Sequence, residues 1–273
     1  MSTATQEAPA AVKQPKPKAP VPTIPGLIVG RVIRPRRIMI YGVAGIGKST
    51  WASQAPSPIM LQTERGADDI GVPRLPVAQT FDEFQEQLRT ICETTHGYKT
   101  LIIDTINGLE QLIHKHVCKK ANVNHITDVP FAELYEQACD AMLDMLNGFD
   151  WILDKFEMNI ILVAHPRVQR FDSPETDAYD RYRPDLHVNS KDQGVGQHVT
   201  RWCDDVLFAT WKTFVKSTDE GFGRTRSQGI SDGTRVIRTQ ERASHVAKNR
   251  LALPYELPMP EDNAYAEYAK FLG

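Results

Sequence analysis

The sequence predicts an α/β fold built on a mostly parallel, doubly wound sheet, and two observations lead to this prediction. The first is a phosphate-binding-loop pattern, Gly-x-x-x-x-Gly-Lys-Ser, at residues 42–49, with an apolar run before it and a possible helix start after it. The second is a series of further apolar runs that alternate with helical patterns along the chain. Together they indicate a P-loop NTPase core with helices on both faces of the sheet.

The core elements are predicted from two kinds of apolar spacing. Continuous apolar runs are typical of strands that are buried on both faces, and spacings of three or four residues are typical of helices. The predicted strands are 38–41, 58–62, 98–104 and 159–165. The predicted helices are 81–92, 106–117 and 130–157.

The C-terminal part of the chain is expected to add an antiparallel β extension to this core. Residues 166–196 show little periodicity and are predicted to form a long loop, of the kind that is usually functional or mobile. Strands at 205–211, 234–239 and 245–247 are predicted to follow. A helix at 261–271 closes the chain.

The N-terminal 25 residues are set apart by their proline content. They hold six of the eighteen prolines of the chain, with alanine and lysine between them. Such a segment cannot bury enough apolar surface to offset the cost of ordering, so residues 1–25 are predicted to be a disordered tail. A short edge strand is expected at 27–33, and residues 26–273 are predicted to form a single domain.

The composition suits one globular α/β domain with extensions, because 41% of the 273 residues are apolar and 24% are charged. The four cysteines are widely spaced and include no C-x-x-C pair, a pattern typical of reduced thiols in the cytoplasm. No apolar run approaches the roughly 18 residues of a membrane helix, and no signal-peptide core is found. A cytoplasmic protein is therefore expected. With a net charge of −2, nucleic-acid binding would depend on local basic patches.

The phosphate-loop pattern carries a specific chemistry. Its glycines let successive backbone N–H groups turn inward and form a nest for phosphate oxygens. Lys48 would reach the β- and γ-phosphates of ATP, and the Ser49 hydroxyl would ligate Mg²⁺. The predicted nucleotide-binding residues are Gly42, Val43, Ala44, Gly45, Ile46, Gly47, Lys48, Ser49 and Thr50.

Two acidic residues at predicted strand ends complete the predicted active site. Asp104 ends the third strand and is expected to hold Mg²⁺ together with Ser49. Hydrolysis of ATP also needs a group that orients and deprotonates the attacking water. Many P-loop ATPases carry a glutamate directly after the strand-end aspartate, but Thr105 occupies that position here. Glu64, at the end of the second strand, would lie on the same edge of the sheet and is the predicted catalytic base.

Five segments of the sequence together resemble one family. They are IYGVAGIGKST, IMLQTERGADDIGV, TLIIDTINGL, IILVAH and VAKNRLALPYE, in this order. Over about residues 38–256 the chain resembles the RecA-like recombinase ATPases, and in particular the minimal, core-only RecA-like proteins of bacteriophages that act with single-strand annealing systems. The resemblance implies a RecA-like fold, an ATPase reaction with ATP and Mg²⁺, and assembly into a filament or ring.

The resemblance also implies roles for particular residues. Glu64 takes the place of the catalytic glutamate and Asp104 that of the aspartate on the Mg²⁺ side. His165 falls at the strand-end residue that senses the γ-phosphate, where RecA itself has glutamine. Lys248 and Arg250 match a basic pair that in RecA filaments reaches the ATP of the adjacent subunit, which implies a catalytic site completed in trans.

Two segments, 119–128 and 166–195, fall where the family places its DNA-binding loops. The candidate DNA contacts are Lys119, Lys120, Arg167, Arg170, Arg181, Arg183 and Lys191. The second segment holds five basic and six acidic residues, so it has no positive charge as a whole. Its arginines do stand beside aromatic residues, a pairing that holds phosphate while a base stacks. Residues 212–250 form the clearly basic block of the chain and would line the DNA or serve a subunit interface.

The function that these features predict is an ATPase that binds single-stranded DNA and promotes annealing or homologous recombination. Single-stranded DNA and further copies of the chain are the expected partners, and a single-stranded-DNA-binding protein is an additional one. Three alternatives stay open: an AAA+ loader or helicase, a small-molecule kinase, and a scaffold that binds ATP without hydrolysing it. A loader or helicase would normally have an Asp-Glu pair after the strand and a helical lid after the core. A small-molecule kinase would need a lid that carries arginines, and Arg181 and Arg183 could be those arginines.

Overall fold

The computed structural model describes residues 25–30, 32–219 and 225–272. The proline-rich tail lies almost entirely outside these residues, so its disorder stays a prediction. The edge strand expected at 27–33 is not present among the described residues of that stretch. The apolar side chains of this stretch, including Ile28 and Val29, are exposed.

Nine strands and six α-helices are found among the described residues. The strands are β1 (Arg37–Gly42), β2 (Pro58–Gln62), β3 (Thr100–Asp104), β4 (Asn159–Ala164), β5 (Pro166–Phe171), β6 (Tyr179–Pro184), β7 (Asp205–Asp219), β8 (Thr225–Arg238) and β9 (Glu256–Pro258). The helices are α1 (Lys48–Ser53), α2 (Phe81–Glu93), α3 (Ile106–Ala121), α4 (Glu133–Phe156), α5 (Val195–Trp202) and α6 (Ala264–Ala269). Of the helices described, none is both long enough and apolar enough to cross a lipid bilayer.

Seven strands form one sheet in the order β2-β3-β4-β1-β7-β8-β9. The strands from β2 to β7 in this order run parallel, and β8 and β9 are antiparallel to their neighbours. The predicted mostly parallel, doubly wound sheet with an antiparallel C-terminal extension is confirmed. Because parallel strands end at the same edge of a sheet, the carboxyl ends of the first four strands of the chain meet there.

Side chains alternate across the sheet and build an apolar core on each of its faces. Met39 and Tyr41 of β1 face α2, α3 and α4, whereas Ile38 and Ile40 face α1 and α6. All four side chains are fully buried. Burial on both faces is the physical reason why the core strands have continuous apolar sequences.

The prediction of a long loop at 166–196 is wrong. β5 and β6 pair over six residues each and form a separate antiparallel hairpin, and α5 begins at Val195. The inward side of this hairpin carries Arg167, Gln169, Arg181 and Arg183 in place of aliphatic side chains. The alternation of apolar residues that normally marks a strand is therefore missing from the sequence.

The C-terminal extension also differs from its prediction. β7 and β8 form a hairpin much longer than the predicted strands, and β9 adds a third, short strand that was not predicted. The strand predicted at 245–247 is wrong, because His245 makes only isolated bridges, to Tyr182 and Arg242. The closing helix, α6, is shorter than the predicted range of 261–271.

Two adjacent aspartates anchor the edge of the sheet at which β7 begins. Asp204 and Asp205 are fully buried. The Asp205 Oδ2 atom accepts hydrogen bonds from Arg36 Nη2 at 2.7 Å and from the Tyr268 hydroxyl at 2.6 Å. The Asp204 Oδ1 atom accepts one from Arg34 Nη2 at 2.8 Å. The pair thus joins the residues that precede β1, the start of β7 and α6.

We expect Asp205→Ala to lower the free energy of unfolding by about 3–5 kcal/mol, because it leaves Arg36 and Tyr268 without their buried acceptor. Urea unfolding followed by circular dichroism measures the change. Asp68→Ala is the control: its exposed carboxylate lies 3.4 Å from Arg74, and its removal should cost less than about 0.5 kcal/mol. A loss below about 1 kcal/mol for Asp205→Ala would contradict an anchoring role for this pair.

Candidate nucleotide-binding site

The phosphate loop leaves β1 at Gly42 and ends where α1 begins. Gly42 approaches the next strand so closely that a Cβ atom there would lie 1.9 Å from the carbonyl oxygen of Ala209. Gly47 has a φ of 97°, a left-handed conformation that residues with a side chain rarely adopt. The curl of the loop therefore requires glycine at both positions, which accounts for the spacing seen in the sequence.

Lys48 is the first residue of α1 and is largely buried. Its ammonium group donates hydrogen bonds to the carbonyl oxygens of Gly42, at 2.9 Å, and of Val43, at 3.2 Å. Burial lowers the pKa of Lys48 below its usual value, and the carboxylates of Asp104 and Glu64 act in the opposite direction. The cation therefore lies at the loop, within electrostatic reach of both acidic residues.

Asp104 ends β3 and is 7% exposed. Burial raises the pKa of its carboxyl group above the usual value, although a hydrogen bond from the Ser49 hydroxyl and the charge of Lys48 oppose the rise. A hydroxyl beside a carboxylate offers the oxygen ligands with which proteins bind Mg²⁺ together with phosphates. The residues present therefore fit this metal.

Glu64 follows β2 and is held by two hydrogen bonds. Its Oε1 atom lies 3.0 Å from His165 Nε2, and the Thr105 hydroxyl also donates to it. Thr105 follows β3 and His165 follows β4, so the ends of three strands that are neighbours in the sheet meet here. The His165 and Glu64 side chains are 45% and 42% exposed, which leaves both accessible to a substrate.

A cavity of about 320 Å³ opens beside the phosphate loop at this edge of the sheet. Its lining residues are Gly45, Gly47, Lys48, Ser49, Thr50, Gly66, Ile70, Asp104, Thr105, Val163 and His165. A backbone loop, a cation, hydroxyl groups and a carboxylate thus surround one space. This combination can bind a phosphate ester with a divalent cation.

A protein-family model described as an AAA domain (AAA_24) matches residues 34–251. The chain belongs to this AAA domain family. The family and the order of the strands confirm the fold class predicted from the sequence, a P-loop NTPase core with a mostly parallel sheet. The AAA domain is thus a P-loop ATPase domain.

Two further similarities concern individual proteins. The SPbeta prophage-derived uncharacterized protein YorG of Bacillus subtilis (strain 168) is 27% identical over 105 residues, which are 37% of this chain and 32% of that protein. The chain thus spans about a third of the length of the curated relative it matches. Among solved structures, the crystal structure of the RadB recombinase is similar at 14% identity and a TM-score of 0.46, covering 84% of this chain and 90% of that chain.

Lys248 and Arg250 lie at the opposite edge of the sheet from the phosphate loop of their own AAA domain, beside the start of β7. The Lys248 ammonium donates to the carbonyl oxygens of Thr200, at 2.9 Å, and Arg201, at 3.1 Å, at the end of α5. The Arg250 Nη1 atom donates to Asp204 Oδ1 at 3.3 Å. Within one chain, therefore, neither side chain meets the cavity.

The seven candidate DNA contacts fall into two groups. The solvent-exposed ones are Lys119, Lys120, Arg170 and Lys191. The other three are held within the protein. Arg181 Nη1 lies 3.1 Å from Glu241 Oε1, and Arg167 and Arg183 both donate to Gln169 Oε1, at 2.9 Å and 3.0 Å. In the structure described, the three inner arginines of the β5–β6 hairpin therefore bind other side chains of the protein.

Helix α3 holds both ends of the β5–β6 hairpin. The Asn107 Oδ1 atom accepts a hydrogen bond from the backbone N–H of His165 at 2.8 Å, and the Asn107 amide donates to the carbonyl oxygen of Asp185. One turn further along, Glu110 Oε1 accepts a hydrogen bond from the backbone N–H of His187 at 2.9 Å. Burial raises the pKa of Glu110 to about 7. His165 thus has its side chain at the cavity and its backbone at the start of the hairpin.

Two residues that adjoin the site were missed by sequence reasoning. Gln62 ends β2, is 3% exposed and pairs in register with Asp104, and its Nε2 atom has no hydrogen-bond partner among the described residues. A polar residue at the end of an apolar run, two positions before Glu64, was a signal that could have identified it. Arg235 lies against Gly47, but the two are so far apart in the sequence that only the fold reveals the contact.

Lys48→Ala should weaken the binding of ATP about 100-fold, because it removes a cation whose N–H donors serve the phosphate site. Equilibrium binding of a fluorescent ATP analogue in the presence of Mg²⁺ measures the affinity. Lys115→Ala removes an exposed lysine of α3 and is the control, which should bind like the unchanged protein. If Lys48→Ala binds as tightly as this control, the cavity beside the loop is not the nucleotide site.

Proposed function

We propose that this AAA domain is a RecA-like ATPase that assembles on single-stranded DNA, hydrolyses ATP with Mg²⁺, and promotes DNA annealing or homologous recombination. One observation supports the proposal most strongly. Glu64 Oε1 lies 3.0 Å from His165 Nε2 at the edge that carries the phosphate loop, and His165 directly precedes the hairpin on which Arg170 is exposed. His165 thus connects the proposed hydrolytic site at Glu64 with the hairpin surface proposed to bind DNA.

ATP is the proposed substrate. The backbone N–H groups of the loop and the ammonium group of Lys48 bind its phosphates. Ser49 and Asp104 would hold Mg²⁺, which when bound neutralises charge on the phosphate oxygens. Glu64 orients the attacking water and accepts its proton, and its two hydrogen bonds keep the carboxylate in one position for that role.

His165 is the proposed link between the nucleotide and the hairpin. Its ring contacts Glu64, and its backbone N–H is held by Asn107 at 2.8 Å. A displacement of Glu64 on nucleotide binding would therefore reach β5, which begins at the following residue. We assign to His165 the γ-phosphate-sensing role that the family resemblance implies for this position.

The DNA contacts are assigned first to the exposed cations, because these can meet phosphate groups from solvent without being unpacked. They are Lys119, Lys120, Arg170 and Lys191. The three inner arginines of the hairpin remain proposed contacts, but each would have to exchange an internal acceptor for a phosphate oxygen. These are Arg167, Arg181 and Arg183. The ring of Tyr182 on the same hairpin stacks against Phe208 at a centroid distance of 5.1 Å, and the residue is 36% exposed, so the outer surface of the ring is what a base could meet.

A filament or ring of identical subunits is the proposed assembly, with Lys248 and Arg250 contributed to the ATP of a neighbour. Their place at the edge opposite the phosphate loop suits a head-to-tail interface, in which one edge of a subunit meets the other edge of the next. The prophage origin stated for the Bacillus subtilis relative supports a phage-encoded protein. The host cytoplasm is its proposed place of action, and a single-stranded-DNA-binding protein is an additional proposed partner.

An AAA-type loader or helicase is the competing function, because the matched family is described only as an AAA domain. A scaffold that binds ATP without hydrolysing it is a second competitor. Both share the phosphate loop with the proposed function, so the binding of ATP alone does not separate the three. The response of the ATPase rate to single-stranded DNA and the effect of replacing Glu64 separate the three functions.

Single-stranded DNA should raise the ATPase rate, and Glu64→Gln should lower the stimulated rate at least about 100-fold with ATP affinity nearly unchanged. Phosphate release with and without a homopolymeric strand measures the rate. Glu93→Gln, which alters an exposed carboxylate at the end of α2, is the control. Stimulation by duplex DNA alone would favour the loader or helicase, and unchanged turnover in Glu64→Gln would favour the scaffold.

Mixing two inactive variants tests completion of the site in trans. Lys248→Ala should bind ATP without hydrolysing it. Mixed in equal amounts with Glu64→Gln, it should regain about a quarter of the normal rate, because one interface in four then joins an intact Glu64 to an intact Lys248. Thermal melting checks that the loss of the α5 contact has not unfolded the variant. No recovery in assembled mixtures would rule out the trans role.

A further inference from the structure

The β7–β8 hairpin places an arginine beside the phosphate loop of the same chain. Arg235 of β8 pairs in register with Trp211 of β7. A Cβ atom at Gly47 would lie 3.1 Å from Arg235 Nη1 and 3.7 Å from Met259 Cε. The guanidinium group therefore lies beside Gly47, the residue directly before the lysine of the loop, and occupies the space that a side chain there would need.

The ion pair that Arg235 makes is a weak one. Its side chain is 18% exposed, and its ion-pair partner among the described side chains is Glu261, whose Oε1 atom lies 3.8 Å from Arg235 Nη2. That distance is too long for a hydrogen bond, and Glu261 is itself 91% exposed. A guanidinium group carries five N–H donors, which need acceptors when water is largely excluded. A phosphate oxygen at the loop would supply the acceptor that Glu261 does not.

An open cavity of about 630 Å³ adjoins Arg235. Trp211, Thr234, Met259 and Glu261 are among its lining residues. An indole ring that is 37% exposed, a thioether and several polar groups suit a nucleoside, because the base needs an apolar surface and the sugar needs hydrogen-bond partners. Arg235 and Met259 line this cavity, and the same two side chains are the nearest neighbours of a Cβ atom built on Gly47, so they stand between the cavity and the loop.

We infer that Arg235 is a nucleotide-binding residue supplied in cis, at the junction between the phosphate loop and a cavity that receives the nucleoside. It donates to the phosphate chain from the side of this cavity. The inference rests on the proposed function, because it requires the loop to bind a nucleotide. It adds a cation of the same chain, which is distinct from the trans contribution assigned to Lys248 and Arg250.

Equilibrium binding of ATP with Mg²⁺ to the full-length protein tests the role of Arg235. Arg235→Met, which removes the charge and keeps much of the length, should weaken binding about 10–100-fold, equally at low and high protein concentration. Arg235→Lys should recover part of the affinity because it keeps a cation. Arg238→Met, three residues along β8 and on its other face, is the matched control and should bind normally.

The nucleoside cavity has a test of its own. Trp211→Ala should weaken the binding of ATP and leave the binding of inorganic tripolyphosphate unchanged, because tripolyphosphate has no base to contact the ring. Arg235→Met should weaken the binding of both ligands. If Trp211→Ala changed the binding of ATP and of tripolyphosphate equally, the cavity would not be the nucleoside site.

The possible outcomes separate this inference from the proposed function. The rise in melting temperature caused by ATP is a second readout and shows that each variant is folded. If Arg235→Met binds like its control while Lys48→Ala does not bind, the inference is wrong and the proposed function stands. If the loss appears only at concentrations where the chain assembles, Arg235 acts on a neighbour and the cis assignment is overturned. If the unchanged protein binds no ATP, both fail.

Discussion

The parallel pairing of β2, β3, β4 and β1 is the constraint on which the candidate site depends. Hydrogen bonds in register hold the carboxyl ends of these strands side by side, with Gln62 beside Asp104 and the phosphate loop two strands away. The strands themselves are apolar on both faces, so polar side chains can emerge only where the strands stop. A shift in register at one strand would separate the Asp104 carboxylate from the phosphate loop.

Glu64 and His165 at one edge of the sheet differ in solvent exposure from the two aspartates at the other edge. At the edge with the phosphate loop, Glu64 and His165 keep nearly half of their side-chain surface exposed. At the other edge, Asp204 and Asp205 are closed off completely, among arginines and a tyrosine hydroxyl. Buried charges that are fully paired can hold a fold together but are not available to a ligand. Charged side chains that stay accessible to solvent contribute less to the stability of the fold, and they can bind or react with a ligand.

Most of the core and the position of the phosphate loop could be predicted from the sequence, because each depends on local pattern. The phosphate loop is a contiguous motif, and Asp104 and Glu64 could be placed from the rule that parallel strands end together. The β5–β6 hairpin could not, because Arg167 and Gln169 occupy positions where a pattern search expects aliphatic residues. Arg235 could not either, because its contact with the loop follows from the pairing of β7 with β1 and of β8 with β7.

One amide side chain controls the geometry of the β5–β6 hairpin. Asn107 accepts a hydrogen bond from the residue before β5 with its oxygen and donates one to the residue after β6 with its nitrogen, so both ends of the hairpin are tied to one side chain. The two ends cannot spread apart without breaking one of these bonds. Loss of the Asn107 side chain would therefore remove a hydrogen bond at the start of β5 and another at the end of β6 at the same time.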